Sequence, residues 1–242
     1  MDNINNVAKL YRGDDFEIGK IKIKQPTIND IIDFDEKKYW DLVHTFVSTP
    51  FDMVAQLDMI GIDFTTISNF ELFLLLVRNY SVDDTKILFG EELDFHNAII
   101  ANKDDELILC FNNGIEINQY THTVISEYLR KVHNLPKPKY TKIGNEFTKQ
   151  KTIEVETYKY KRALRKKDNN SSILVPLISS LVVALQISKA TVMDMQIYEF
   201  FESISRISAK EVADNLCRGL YAGTISMESL NKKELNWMRE LR

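Results

Sequence analysis

In KIKIK, Ile21 and Ile23 alternate with lysines at the period of a half-buried strand, and Pro26 with Thr27 then punctuates the chain before a helical run. The pattern predicts a short edge strand leading into a helix. In YWDLVHTFVSTPFDMVAQLDMIG, Trp40, Val43, Phe46 and Val47 fall at helical spacing. Thr49 suits an N-cap with Pro50 in the first helical position, and Gly61 suits the end of a second helix. SNFELFLLLVRNY repeats the logic: Ser68 or Asn69 caps, and Leu72, Phe73, Leu76 and Val77 face inward. Leu74 and Leu75 leave few polar positions on its outer side, so this helix is expected to be central.

From Ser81 the pattern changes. KILF, the segment around FHNAII, ELILCF and IEI are short β-compatible runs, separated by Gly90, by Asp104 and Asp105, and by Asn112, Asn113 and Gly114. Asn113 and Gly114 predict a hairpin between ELILCF and IEI, with φ > 0 at both central turn residues. A small β insertion is therefore expected near residues 82 to 118. Helix resumes in NQYTHTVISEYLRKVHNL, with Val124, Tyr128, Leu129 and Val132 on one side, and ends before PKPKY. Residues 135 to 146 read as a linker.

The rest of the chain is the most regular. A basic, polar helix is predicted in FTKQKTIEVETYKYKRALRKK, followed by a break at DNNSS. An apolar helix occupies 173 to 187, starting at Pro176 in the first helical position because Val175 is biased away from α. Thr191 with Asp194 resembles a capping box, and Met193, Ile197, Phe200, Phe201, Ile204 and Ile207 form a stripe at steps of three and four. Ser208 with Glu211 is expected to open a further helix carrying Val212, Leu216 and Leu220 to a stop near Gly223. Asn231 with Glu234 opens a last short helix bearing Leu235 and Met238. The expected fold is mainly α with a small β insertion, α+β in class, its C-terminal half like a helical bundle. The expected division is 1–80, helical with a short edge strand; 81–136, the β insertion and a helix; and 137–242, a basic segment and the bundle.

Composition supports a folded chain: 44% of the 242 residues are hydrophobic, with 13 Phe, 10 Tyr and only 8 Gly. That length fits one large or two small domains equally. Cys110 and Cys217 have no metal-site spacing and read as free thiols. MDNINN lacks the basic start and apolar core of a secretory signal, so a cytoplasmic address is expected. Residues 171 to 187 are too short, and too rich in serine, for a membrane span.

No glycine-rich phosphate loop, HExxH or GxSxG elbow occurs, and the four histidines include no i, i+4 pair. Paired acids at Asp14 and Asp15, Asp83 and Asp84, and Asp104 and Asp105 lack the spacing of a calcium loop and read as turn residues. No catalytic residue, cofactor or metal is predicted, and the expected role is not enzymatic. Charge, however, is segregated. Residues 137 to 167 hold 11 Lys or Arg against three Glu, a net +8 that leaves −12 on the remainder of a −4 chain. Tyr140, Phe147, Tyr158 and Tyr160 interleave with these lysines, an arrangement that suits stacking on bases. The glutamates and the acidic balance favour instead a basic helix in solvent, or one set against an acidic surface of a partner or of this chain. The stripe from Met193 to Ile207 ordinarily faces its own core, although Phe200, Phe201, Trp237 and Met238 are of the adaptable kind that interfaces use.

TVMDMQIYEFFESISRI and LCRGLYAGTISMESLNKKELNWMREL resemble the C-terminal end of a family of tail-region proteins encoded by phages and prophages of Gram-positive bacteria. The resemblance continues upstream in IKIKQPTINDIIDF, LDMIGIDFTTISNFELFLLL, GNEFTKQKTIEVE and SSILVPLISSLV, and so spans most of the chain. Its members are regarded as tail assembly chaperones or tail-module proteins. The resemblance implies a non-enzymatic role in the host cytoplasm, holding a tape-measure or tail tube protein before polymerisation, with self-association also open. The competing expectation is a permanent virion subunit, a connector or baseplate component; a nucleic-acid-binding regulator comes third. Contacts are expected at Phe200, Phe201, Ile204, Trp237 and Met238, and along the basic segment at Lys159, Lys161, Arg162, Arg165, Lys166 and Lys167.

Overall fold

A computed structural model describes residues 6–103, 105–138, 140, 142–165, 172–228 and 230–241. Helix α1 (Val7–Arg12) precedes a hairpin of β1 (Phe16–Ile18) and β2 (Ile21–Ile23). Then come α2 (Ile28–Phe34), α3 (Glu36–Val47), a 3-10 turn at Pro50–Asp52, α4 (Val54–Met59), α5 (Asn69–Val77) and α6 (Val82–Phe89). The antiparallel sheet β3 (Ile99–Lys103), β4 (Glu106–Cys110) and β5 (Glu116–Ile117) leads into α7 (Gln119–Val132). The chain finishes with α8 (Glu146–Arg165), α9 (Leu174–Leu185), α10 (Lys189–Met193), α11 (Ile197–Tyr221) and α12 (Lys232–Leu235). With 58% of the described residues helical and two small antiparallel sheets among them, the architecture is α+β and mostly helical.

Local chemistry explains most boundaries. Capping boxes at Thr27 with Asp30, Thr49 with Asp52, Ser68 with Glu71 and Ser81 with Asp84 each satisfy backbone amides left free at a helix start. The last of these overturns the β reading of KILF: those residues finish α6, whose first turn holds Asp83 and Asp84 and which stops at Gly90 with φ +67°. The β insertion is thus shorter than expected and begins at Ile99. Its predicted turn is present with different geometry. Gly114 alone has positive φ, +76°, while the Phe111 amide donates to Ile115 O at 2.9 Å and the Gly114 amide to Phe111 O at 3.0 Å. This is a three-residue hairpin loop with glycine in the left-handed position, so Asn113 needs no positive φ.

Three expectations for the C-terminal helices are corrected. α9 begins at Leu174, two residues before Pro176, because Glu36 of α3 supplies a cap from outside: its carboxylate accepts from Ile173 N at 2.6 Å, Leu174 N at 3.0 Å and the Ser172 hydroxyl. Proline in the first turn then removes no intrahelical bond. Thr191 and Asp194 lie within and just after α10, whose cap is Ser188. Ser208 and Glu211 open nothing: α11 runs through them unbroken for 25 residues. It stops near Gly223 as predicted, and α12 carries the predicted Asn231 cap.

One hydrophobic cluster joins Leu10, Tyr39, Phe46, Phe73, Leu109 and Tyr128 to Leu174 and Phe200, so distant parts of the chain share a core. A bridge between Thr27 and Gln196 reinforces this, with the Ile28 amide on Met195 O and the Ile197 amide on Pro26 O, both at 3.1 Å. A second, smaller cluster holds Val54, Leu57, Phe64 and Leu72, with Ile143 and Ile153 packed on it.

Candidate interaction surfaces

The apolar stripe of α11 points into the main core. Phe200 is 0% exposed and Phe201 9%, with the ring of Trp40 set edge-on to Phe201 at 6.1 Å, and Ile204 is half-buried against the same cluster. A partner cannot reach Phe200 without opening that core. Trp237 is half-buried, and Met238 is 73% exposed. Arg206, which the sequence reading did not single out, holds this last segment: its guanidinium donates to Trp237 O at 2.6 Å and Arg239 O at 2.8 Å and pairs with Glu202 one turn back. The Glu202 and Arg206 pair is legible as an i, i+4 helix pair. Its grip on the two carbonyls is a tertiary fact with no local signal.

Helix α8 is 20 residues long and none of them is buried. Its first half is anchored, with Lys149 on Asp63 at 2.7 Å and Ile153 on the smaller cluster. The Lys149 hydrogen bond, helped by Thr65, pulls the Asp63 carboxyl down to about 2. Beyond it, Lys159, Lys161, Arg162 and Arg165 are all exposed. Lys159 pairs with Glu156 at 2.6 Å and Lys151 with Glu154 at 2.9 Å. Lys161, Arg162 and Arg165 make no ion pair among the described residues. Lys166 and Lys167 lie outside the described residues. The structure therefore gathers the basic residues on one helix and places the Phe200 group in the core rather than beside them.

Between the end of α3, α7, residues 135–138 and Tyr140 lie two cavities of about 660 and 720 Å³ that share Val47, Ser48, Arg130 and Leu135. Arg130 donates to Pro136 O at 2.7 Å and to Val47 O, fastening the segment that leaves α7. Asn69 donates to the Tyr140 hydroxyl at 2.9 Å, so the same segment is tied at a second point before α8 begins.

Two histidines near this cleft are buried. The Tyr39 hydroxyl donates to His133 Nε2 at 2.5 Å while Nδ1–H donates to Leu129 O at 2.7 Å, which fixes one neutral tautomer. Burial, with a smaller contribution from nearby His44 and against the hydrogen bond to Leu129 O, lowers His133 to about 4. His122 is likewise lowered to about 4 by burial; it stacks on Phe73 at 4.4 Å, and its Nε2 has no hydrogen-bond partner among the described residues. Both imidazoles thus belong to the aromatic core. Cys110 and Cys217 are free. Among the described residues, no group of three or more His, Cys, Asp or Glu is placed to hold a metal ion, and no helix is long and apolar enough to cross a membrane.

No curated protein and no solved structure matches the chain. Residues 166–242, from just beyond the described end of α8 through α12, match a family model described as the YomV second domain, a similarity that fits a phage-encoded protein.

Proposed function

We propose that this chain is a non-enzymatic tail assembly chaperone that holds a tape-measure or tail tube protein before polymerisation. The observation that carries the reading is the helical surface the fold leaves uncovered. α8 buries no residue, and Ile173 at the cap of α9 with Val175 and Val183 within it face solvent, Val183 at 75%, in a stretch from Ser172 to Ser188 without one charged residue. Exposed apolar and uncharged helical surface of that kind suits contact with another protein. A client made of long amphipathic helices needs temporary cover for its apolar stripes, and helices can supply it with no nucleotide chemistry. The similarity of residues 166–242 to a domain that fits a phage protein is in keeping with this role.

Co-expression with the tape-measure protein encoded by the same phage tests it. The chain is expected to raise the soluble fraction of that protein and to co-purify with it. An unchanged soluble fraction for both the tape-measure and the tube protein would sink the reading.

A further inference from the structure

We propose that the outward face of α8 docks an acidic amphipathic helix; the proposal rests on the partner-binding reading above and names the surface and the chemistry of its partner. Phe147, Lys151, Tyr158, Arg162 and Arg165 recur at steps of four, seven, four and three, so they lie in one row along a helix. The opposite side carries Lys149, Ile153 and Tyr160, the side that anchors on α4 and the smaller cluster. The outward row is far from covered: Phe147 is 72% exposed and Tyr158 68%, with Val155 half exposed beside them. Along this face the exposed apolar residues Phe147, Val155 and Tyr158 are interspersed with Lys151, Arg162 and Arg165, so apolar contact and positive charge are offered together, a combination by which one helix can recognise another.

Charge decides what sits there. The segment from 137 to 167 is +8 within a chain that is −12 elsewhere, and Lys161, Arg162 and Arg165 have no acidic partner among the described residues. An anionic occupant is therefore matched. Two observations favour a helix over a nucleic acid. Glu154 and Glu156 stand among the lysines and already neutralise Lys151 and Lys159, which leaves a short cationic stretch rather than a track. A long polyanion would also run off this helix, about 30 Å at 1.5 Å per residue, onto the −12 remainder and be repelled. A helix of similar length, with leucines facing Val155 and Tyr158 and carboxylates reaching Arg162 and Arg165, meets both the apolar row and the cations.

The test measures fluorescence anisotropy of a labelled 21-residue (by design, about six turns) helical peptide with leucine on one face and glutamate flanking it, titrated with the full chain. Binding is expected at low salt, weakened at least tenfold at high salt, and reduced at least tenfold by K161E/R162E/R165E and several-fold by Tyr158→Ala. The same peptide with lysine in place of glutamate is expected not to bind. A milder K161Q/R162Q/R165Q variant with an unchanged thermal midpoint guards against misfolding. No binding by the wild type, equal binding by the triple variants, or tighter binding of a single-stranded oligonucleotide through these same residues would each overturn the proposal. Co-expression separates the two readings. If the triple variant keeps the client soluble as well as the wild type does, the α8 surface is wrong and the chaperone stands; if the wild type fails there yet binds the peptide through α8, the reverse holds.

Discussion

The two longest helices among the described residues, α8 and α11, are of similar length and opposite character. α11 opens with Ile197, Tyr198, Phe200 and Phe201, all buried, and continues the same side through Ile204 and Ile207 against the main core. α8 divides its apolar residues between two sides: Ile153 faces the smaller cluster, while Phe147, Val155 and Tyr158 face solvent. A single apolar stripe makes a helix part of the fold, and a divided one leaves a face to be used by something else. Stability should therefore reside in α11 and recognition in α8.

The largest effect should come from Phe200→Ala, which opens a cavity under α11 and is expected to cost about 3 to 5 kcal/mol in urea unfolding. Tyr158→Ala on α8 is expected to stay within about 0.5 kcal/mol. Similar losses at both positions would show that α8 is as much a part of the core as α11.

Acid comes next, through the core that α11 closes. His122 and His133 are held at about 4 in the fold, whereas an unfolded histidine takes its proton near 6.5. Between those values the unfolded chain binds more protons, so the stability these groups confer is complete above about pH 6.5 and falls as pH drops toward 4. The expected loss is roughly 1.5 kcal/mol per histidine at pH 5.5. Denaturation midpoints measured from pH 7.5 to 4.5 check this, and His122→Phe, which keeps an aromatic ring on Phe73, should remove about half of the slope. A midpoint flat across that range would contradict the buried neutral imidazoles.

Smaller again is the effect of Glu36, which caps α9 between the two long helices. Glu36→Ala should cost about 1 to 2 kcal/mol, with faster hydrogen exchange at Ile173, Leu174 and Val175 and none of that gain in α8. Glu36→Gln keeps an acceptor oxygen and should lose less.

What the sequence revealed and what it hid follow from where the deciding partner lies. Stripes in α3, α5 and α7 were legible because their burial repeats along the chain, as with Val124, Tyr128, Leu129 and Val132, all buried. The Gly223 stop and the Asn231 cap depend on residues beside them and were legible too. Ser208 with Glu211 misled because a serine three residues before a glutamate caps only where backbone amides are free, and inside α11 they are already bonded. The start of α9 was hidden for the opposite reason: its cap is Glu36, more than 130 residues away. Of the candidate contact residues, charge found the α8 cations, while periodicity alone could not tell that the Phe200 stripe faces inward. Arg130 and Arg206 grip carbonyls on other segments, and nothing local marks them.

A chaperone of the kind proposed acts during tail assembly and is absent from the mature virion. Quantitative mass spectrometry of host lysate and of purified particles from the same induction tests this most directly. Abundant chain in the lysate and only trace amounts in the particles are expected; a fixed stoichiometric copy number in mature virions would rule out a chaperone and establish a permanent subunit instead.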